Sequence, residues 1–416
     1  METRRLLRVG LLGVGWVSLT LFGGCVQPPP YEVYEPVKNY ARPLPPGAVA
    51  LEKVENVRDY PSFAEGLSEL ESLEVAVNES LAYFAKPSSR KYYPYRGITH
   101  ARAVQTLTAF LEDLRAATSG EDLDRRIRAR YEVYRSVGCD GEGTVLFTGY
   151  FEPIYKGSRT PSDKFKYPLY RLPADVVKDP EGRPLGRRTA GGRIVPYYTK
   201  REIEEQGLLA GKGLELAYLE GPFEAYLVRV QGSARILLPG GEVVRVGYAG
   251  KTDRPWQSVS QLLVRDGKLK PSEQSLQAAR RYFAVHPDEL QSYLWEDESY
   301  VFFRETEGGP FGSINAAVTA MRTLATDKDV FPRGCLAFVD TQIPDAATHG
   351  RSARPFKAFT LDQDTGGAIR SAGRADIFMG TGEAAESIAG GTKYEGRLYY
   401  LFLKPELATE MAEAVP

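Results

Sequence analysis

Two aspartates on either side of a Gly-Gly turn are the residues of this chain best suited to chemistry. Asp364 and Asp376 lie in the segment 358–382, and Asp340 lies upstream in the apolar run CLAFVDTQIP. Acidic side chains beside apolar runs are usually paired, hydrogen-bonded or kept protonated. A carboxyl group that stays protonated at neutral pH can act as a general acid, for example on a glycosidic oxygen. The alternative is structural, because aspartate close to glycine commonly caps a turn.

Strands and glycine-rich turns are predicted to position these aspartates. Roughly the last hundred residues alternate β-prone runs with turns, and a helix is expected over residues 313–327. Near the other end of the chain, apolar spacing predicts three helices at 63–85, 99–117 and 121–137. Thr99 is the expected N-cap of the second of these helices.

The middle of the chain consists mainly of predicted strands. The run TVLFTGYFEPIYKGS has strand and turn character, and Gly240-Gly241 separates two β-prone runs as in a hairpin. Helical stretches are expected to begin near Ser272 and after Pro287. The sequence therefore predicts a mainly β chain with helices, of the α+β class. Its alternation of strands and glycine-rich turns is typical of a β-barrel.

Composition excludes several classes of function. The chain has 416 residues, a length that suggests about two domains, and its net charge of −1 gives no reason to expect nucleic-acid binding. The three histidines, His100, His286 and His349, have no ligand spacing and no CxxC pair exists, so neither a metal site nor a cofactor is expected. Cys139 and Cys335 could form a disulfide in an oxidising compartment.

Carboxylate chemistry remains after other catalytic motifs are considered. A serine hydrolase of the α/β type would need a nucleophile turn such as GxSxG, and the sequence has none. The turn at Gly366-Gly367 lacks the lysine of a Walker loop and the GxGxxG spacing, so it is not a nucleotide-binding loop.

The N-terminus predicts export and a lipid anchor. Arg4, Arg5 and Arg8 lead into an apolar run over residues 9–22, which is short for a membrane span and fits a signal-peptide core. Small residues then lead to Cys25, which resembles the lipid-modified cysteine of the bacterial lipoprotein cleavage box, although the box prefers leucine where phenylalanine ends the apolar run. An ordinary secretory signal with an incidental cysteine is the alternative.

A proline-rich tether is predicted to follow over residues 26–50. At about 3.1 Å per residue in polyproline II, this length reaches about 75 Å from a membrane surface. Such a reach suits a protein whose target is a fixed meshwork outside the cytoplasm. The folded part is predicted to begin near Leu51.

Six sequence blocks resemble the membrane-bound lytic murein transglycosylase A family, in the family's order and over roughly residues 144–403. The blocks are FTGYFEP (147–153), QGS (231–233), VGYAG (246–250), VFFRE (301–305), MRTLATD (321–327) and QDTGGAI with GRADIF and GTG (363–382). The C-terminal part also resembles the three-aspartate domain, whose name-giving positions match Asp340, Asp364 and Asp376.

The resemblance implies a double-psi β-barrel that holds the aspartates, with a smaller β-domain inserted into it and a sugar-binding groove between the two. The barrel and its N-terminal helices would comprise residues 51–153 and 306–416, and the insert residues 154–305. Residues 1–25 would be the signal peptide. The protein would be periplasmic and lipid-anchored, with the outer membrane favoured, and its partner would be the glycan strands of peptidoglycan.

The family's reaction cleaves the β-1,4 bond between N-acetylmuramic acid and N-acetylglucosamine without water and leaves a 1,6-anhydro end. The resemblance implies that Asp376 acts first as the acid and then as the base, supported by Asp364. One carboxyl group suffices because the sugar's own 6-hydroxyl is the nucleophile. The resemblance also implies substrate contacts for Thr148, Tyr150, Gln231, Gly232, Ser233, Asp340 and Gly367.

The sequence differs from the one that is usual in the family at three places. Ala234 stands where glycine is common, Lys251-Thr252-Asp253 replaces the usual Asn-Gly, and residues 312–315 also differ. These places belong to expected groove or hinge regions, so the departures concern substrate preference more than activity.

Two other classes of function stay open on the sequence. A true glycan hydrolase would need a second carboxylate about 5–9 Å from Asp376, and Asp364, Glu383 or Asp340 could supply it. A cell-wall-binding barrel would need no catalytic group at all. The intact blocks around Asp364 and Asp376 argue against the second class.

Overall fold

The described part of the chain covers residues 38–180, 182–348 and 352–408 of a computed structural model, and it contains the strands and helices given below together with a helical stretch at residues 405–408. Cys25, the predicted signal peptide and residues 26–37 of the predicted tether lie outside the described residues. The chain from Asn39 onward forms one compact unit.

The strands are β1 (Leu51–Lys53), β2 (Tyr131–Ser136), β3 (Val145–Glu152), β4 (Ile154–Ser158), β5 (Tyr167–Tyr170), β6 (Val176–Lys178), β7 (Pro184–Arg188), β8 (Ile194–Val195), β9 (Glu215–Leu219), β10 (Ser233–Leu237), β11 (Val243–Lys251), β12 (Val301–Glu305), β13 (Thr323–Ala325), β14 (Leu336–Pro344), β15 (Ala353–Asp364), β16 (Arg374–Thr381) and β17 (Lys393–Leu403). The helices are α1 (Leu70–Phe84), α2 (His100–Ala116), α3 (Gly120–Arg130), α4 (Lys200–Glu205), α5 (Pro222–Gln231), α6 (Val259–Arg265), α7 (Leu276–Val285), α8 (Leu290–Glu296) and α9 (Glu383–Gly391).

Strands from both halves of the chain form a closed ring. The eight-stranded sheet has the order β1-β2-β17-β14-β15-β13-β16-β3, and β17 also pairs with β3. Six strands therefore close on one another and leave no unpaired edge between them, while β2 and β1 extend outward from β17. The pairs β13–β15 and β16–β3 are parallel. The predicted α+β class is confirmed, and the closed ring is the arrangement that the barrel part of the prediction requires.

The segment of sequence between β3 and β13, the two strands of the ring that flank it in the chain, forms two smaller sheets. A six-stranded sheet has the order β12-β11-β10-β4-β9-β5, and a three-stranded sheet has the order β6-β7-β8. Helices α4 to α8 belong to the same stretch of chain. This part is thus not purely β, since five helices accompany its strands.

The hydrophobic core of the ring is separate from the cores of the middle segment. One cluster of buried side chains draws on residues up to Phe151 and from Ile314 onward, and it includes the fully buried Phe338 and Phe359. The other three clusters draw on residues 155–303. Separate cores are what an inserted domain requires, and the boundaries at 153/154 and 305/306 stay a prediction.

Three local predictions are confirmed. Helix α2 begins after Thr99, whose hydroxyl oxygen accepts a hydrogen bond from the Arg102 N–H at 3.1 Å. Strands β10 and β11 form the predicted hairpin, and Gly240 and Gly241 in its turn have φ angles of +93° and +90°. These angles favour glycine because other residues pay a steric penalty there. Helix α7 begins after Ser275, at the end of the predicted start signal.

The helix predicted over residues 313–327 is wrong. This segment is mostly irregular and ends in β13, whose three residues are buried between β15 and β16. Its apolar residues are spaced as in a helix, but pairing with two neighbouring strands satisfies the backbone instead. The difference matters because β13 joins the strands of the two aspartates.

Two other predicted helices have different bounds, and the possible disulfide is not formed. The helix predicted over 121–137 ends at Arg130, because the following residues pair as β2 with β17 and β1. The helix predicted over 63–85 begins only at Leu70. Cys335 is a buried thiol, and its sulfur lies 3.1 Å from the Tyr93 hydroxyl oxygen rather than in a bond to Cys139.

Candidate active site

Asp364 and Asp376 lie in one row across the ring. Strand β13 separates them, and its Ala325 pairs with Asp364 on one side and with Asp376 on the other. Thr148 of β3 pairs with Asp376 and continues the row. Because neighbouring strands are about 4.8 Å apart, the α-carbons of the two aspartates are about 10 Å apart. Thr148 and Tyr150 point to the same face of β3 because they are two residues apart. Their hydroxyl groups donate to Asp376 and Asp364, respectively, so both carboxyl groups lie on that face.

Asp376 is flanked by a hydroxyl and a guanidinium group. The Thr148 hydroxyl donates a hydrogen bond to Asp376 Oδ1. Arg374 Nε lies 3.5 Å from the same oxygen, and Arg374 Nη2 donates to Thr148 Oγ1 at 3.3 Å. The Asp376 side chain keeps 16% of its surface exposed. A substrate can therefore reach this carboxyl group, and a cation is in place to stabilise its charged form.

Sequence reasoning missed Arg374. The signal was present, because alternate residues of a strand point to the same face and Arg374 stands two residues before Asp376 in β16. Arg374 Nε has no hydrogen-bond partner among the described residues. Arg374 Nη1 donates to the Ala368 carbonyl oxygen at 3.2 Å, which ties the strand to the turn between the aspartates.

Both carboxyl oxygens of Asp364 are already hydrogen-bonded. Oδ1 accepts from the N–H groups of Ser313 and Thr365 at 2.9 and 2.8 Å. Oδ2 accepts from the Tyr150 hydroxyl at 2.9 Å. Burial raises the pKa of Asp364, while the hydrogen bonds from Thr365, Tyr150 and Ser313 act in the opposite direction. Asp364 thus holds surrounding segments in place, and Tyr150 contacts it rather than Asp376.

The loop before β13 approaches Asp364 closely because residue 312 is glycine. A Cβ atom built on Gly312 would lie 2.5 Å from the Gln363 carbonyl oxygen and 3.2 Å from Asp364 Cβ. A side chain at this position would push the loop away and break the hydrogen bond from the Ser313 N–H. The sequence at 312–315, which differs from the family's usual one, therefore still permits the hydrogen bond from the Ser313 N–H to Asp364.

A buried ion pair supports this end of β15. Asp362 pairs with Lys328, and their side chains are 0% and 6% exposed. Asp362 also accepts hydrogen bonds from the hydroxyls of Thr326 and Tyr400, the second at 2.7 Å. The Thr326 N–H donates to the Asp364 carbonyl oxygen at 3.1 Å. The pair is thereby linked to the backbone of the candidate site, and the sequence analysis did not single it out.

The QGS block connects the middle segment to β3. Gln231 ends α5, and Gly232 follows with a φ of +78°. Gln231 Oε1 accepts a hydrogen bond from the Phe151 N–H at 3.0 Å, and Ser233 begins β10. Gln231 therefore contacts the strand that carries Thr148 and Tyr150, with its amide group on the junction between the two parts of the chain.

The structure does not bring Asp340 to the other aspartates. Asp340 pairs with Lys357, seven residues before Asp364 in β15, which is about 23 Å along an extended strand. A substrate contact of Asp340 would therefore lie away from Asp376, and it stays a prediction. Glu383 is exposed at the start of α9.

Gly367 lies in the exposed turn between β15 and β16. A Cβ atom built on it would be 3.7 Å from Lys251 Nζ. Within the described ranges, no group of three or more His, Cys, Asp or Glu side chains is arranged to hold a metal ion.

Comparison with sequence families gives two matches. Residues 146–304 match the MltA specific insert domain, and residues 322–402 match the 3D domain. The first match covers the middle segment with its separate cores. The second covers β13 to β17, which carry both aspartates.

Individual proteins are similar over most of the chain. The crystal structure of a membrane-bound lytic murein transglycosylase from Agrobacterium tumefaciens is 30% identical, with a TM-score of 0.72 over 87% of this chain and 99% of that one. Membrane-bound lytic murein transglycosylase A of Vibrio cholerae is 29% identical over 270 residues, 64% of this chain and 68% of that protein. The fold also matches E. coli MltA with bound chitohexaose, at 22% identity and a TM-score of 0.67, over 89% of this chain and 97% of that one.

Proposed function

Because the chain belongs to the membrane-bound lytic murein transglycosylase A family and is a lyase acting on peptidoglycan, we propose which bond it cleaves and with which residue. The proposed bond is the β-1,4 linkage between N-acetylmuramic acid and N-acetylglucosamine, and the proposed product carries a 1,6-anhydro end. The observation that carries this proposal is that Asp364 has both oxygens hydrogen-bonded, whereas Asp376, in the same row, accepts a hydrogen bond on Oδ1 alone among the described residues and keeps 16% of its side chain exposed.

Asp376 is proposed to act twice in one turnover. As the acid, its carboxyl group donates a proton to the glycosidic oxygen while the bond from that oxygen to the anomeric carbon breaks. The 6-hydroxyl oxygen of the muramic acid residue then bonds to the anomeric carbon, and its proton passes to the Asp376 carboxylate. The proton count of the enzyme is restored, and no water enters the reaction.

Thr148 and Arg374 are proposed to stabilise the deprotonated form of Asp376 between the two proton transfers. After the first proton transfer Asp376 is a carboxylate, and the Thr148 hydroxyl and the Arg374 guanidinium both face its Oδ1. Charge-assisted contacts of this kind are stronger than neutral hydrogen bonds. The carboxylate is thereby kept in position to take the second proton.

The rival hydrolytic mechanism needs a second carboxylate that can activate water or attack the sugar. Asp364 is the carboxylate in the same row, but its oxygens accept three hydrogen bonds from Ser313, Thr365 and Tyr150. A water molecule would have to compete with these donors. This favours the reaction in which the nucleophile belongs to the substrate.

Mass spectrometry of the products from purified sacculi tests the proposed reaction. Anhydro ends support it, and reducing ends would instead indicate a hydrolase. Intact sacculi after incubation with folded protein would indicate a binding protein. An Asp376→Asn preparation, treated identically, controls for a contaminating enzyme.

A lipid anchor at Cys25 is proposed to hold the protein at a membrane facing the periplasm, with the outer membrane favoured. The relatives from Agrobacterium and Vibrio are named membrane-bound. Within the described residues, none of the helices is long and apolar enough to cross a bilayer. Cys25 follows the apolar run that fits a signal-peptide core.

Replacing Cys25 by serine should release the protein from membrane fractions, because serine cannot receive the lipid. Fractionation of cells followed by immunoblotting measures the effect. Cys139→Ser, which removes a cysteine of the folded part, is the matched control and should stay in the membrane fraction. A Cys25→Ser protein that remains there as well would contradict the lipoprotein assignment.

Gln231 is proposed to contact the glycan in addition to its bond with the Phe151 N–H. Gln231→Ala should weaken the binding of glycan oligomers about tenfold and lower the free energy of unfolding by about 1 kcal/mol, since one hydrogen bond to the backbone is lost. Isothermal titration calorimetry and urea unfolding measure the two effects. Gln231→Glu keeps the acceptor oxygen and should keep most of the stability. A loss of stability with unchanged affinity per folded molecule would show that Gln231 is structural only.

A further inference from the structure

Two cations without carboxylate partners lie beside the turn that connects the two catalytic strands. Lys251 is the last residue of β11, and its Nζ is 3.7 Å from the position of a Cβ on Gly367. Arg370 lies in the same turn and is exposed. Among the residues that the structure describes, neither Lys251 nor Arg370 forms an ion pair with Asp or Glu. Both cations are therefore available to a ligand.

Lys251 differs from the other lysine next to this end of β11. Lys178 is exposed and donates a hydrogen bond to the Ala249 carbonyl oxygen at 3.0 Å. Lys251 is half-buried, and its ammonium group has no hydrogen-bond acceptor among the described residues. The Lys251 ammonium group is therefore free to pair with an anion at this position, at a smaller desolvation cost than a fully exposed lysine would have.

Arg370 places a second positive charge near Lys251. Burial lowers the pKa of Lys251 and the Arg370 guanidinium lowers it further, while the Asp297 carboxylate, which is paired with Lys200, acts in the opposite direction. The two aspartates of the candidate site have other partners: Asp376 faces Thr148 and Arg374, and Asp364 is fully hydrogen-bonded. The turn thus presents net positive charge next to the aspartates.

We propose that Lys251 and Arg370 form a carboxylate-binding subsite for the substrate strand. The inference rests on the proposed function, because the ligand whose carboxylate these two cations bind is the glycan strand that Asp376 is proposed to cleave. Peptidoglycan offers this chemistry from two sources, the lactyl group of muramic acid when no peptide is attached, and the carboxylates of the stem peptide when one is. Chitohexaose, which E. coli MltA binds in its crystal structure, has no carboxylate and serves as the neutral comparison.

Binding of three glycans to the full chain tests the subsite. The probes are chitohexaose, glycan strands freed of peptide by an amidase, and strands that keep their stem peptides, all titrated calorimetrically. An Asp376→Asn background prevents turnover, and Lys251→Gln is introduced into it. We expect about a tenfold loss of affinity for a carboxylate-bearing strand and less than a twofold change for chitohexaose.

Two further variants control for charge and for general damage. Lys251→Arg keeps the charge and should keep the preference for carboxylate-bearing strands. Lys178→Gln removes the neighbouring lysine that already has an acceptor, and it should change all three affinities by less than twofold. Raising the ionic strength should reduce the effect of Lys251→Gln, because salt screens the attraction.

The outcomes distinguish the lactyl carboxylate from those of the stem peptide, and failure of the subsite from failure of the proposed function. A loss confined to peptide-free strands identifies the lactyl carboxylate, and a loss confined to peptide-bearing strands identifies the stem peptide. An equal loss for chitohexaose, or no loss at all, would overturn the subsite. If the parent protein binds none of the three glycans, the proposed function fails and the subsite fails with it, a result that does not depend on residue 251.

Discussion

Asp376→Asn should lower the rate of glycan cleavage at least about a thousandfold while the protein stays folded. General acid–base catalysis contributes roughly 10²–10⁴-fold for one proton transfer, and here the same group is proposed for two. Asparagine keeps the shape of the side chain, and its amide oxygen can still accept from the Thr148 hydroxyl. Release of anhydro-ended products, measured at equal folded concentration, gives the rate. The melting temperature and glycan affinity should change little.

Asp364→Asn is the comparison that tests the assignment of roles. Asp364 accepts hydrogen bonds on both oxygens, from two backbone N–H groups and from the Tyr150 hydroxyl. An amide presents one oxygen and one NH₂ group, so at least one donor loses its acceptor, at a cost of about 1–3 kcal/mol. The variant should therefore lose both stability and activity. Should Asp364→Asn be inactive yet fully stable, with Asp376→Asn still active, the acid would be the other aspartate.

Lys328→Met should lower the free energy of unfolding by about 3–5 kcal/mol, because it leaves the Asp362 carboxylate buried without its cation. Asp362 is completely buried, and two hydroxyl groups donate to it besides Lys328. Burial already lowers the pKa of Lys328, and the Asp362 carboxylate counters this shift. Urea unfolding followed by circular dichroism measures the loss.

The double variant Lys328→Met/Asp362→Asn is the matched control. It removes both charges, and the amide oxygen can still accept from the Tyr400 hydroxyl. Replacing both members of a buried pair is often close to neutral, whereas removing one is strongly destabilising. The double variant should therefore regain most of the lost stability. If single and double variants unfold at the same urea concentration, the uncompensated charge is not the cause.

The sequence by itself determined those features of the protein that depend on residues close to one another in the chain. Thr99 caps α2 through its own N-terminal turn, and Gly240-Gly241 closes a hairpin whose strands are adjacent in the chain. The aspartates were also recognisable, because Asp364 and Asp376 stand beside apolar runs and a glycine turn within one segment. Each of these features depends on contacts over a few residues.

Only the tertiary structure decided which distant groups share the site. Strand β13 was predicted as helix because its apolar spacing fits both, and pairing with β15 and β16 decided the outcome. The same pairing puts Asp364 and Asp376 in one row with Thr148, which is more than two hundred residues away in the chain. It also leaves Asp340 of β14 opposite Lys357, far along β15 from Asp364, and the approach of separate segments brings Lys251 to Gly367. Strand register and the approach of separate segments depend on long-range pairing energies, and periodicity within one segment carries no information about them.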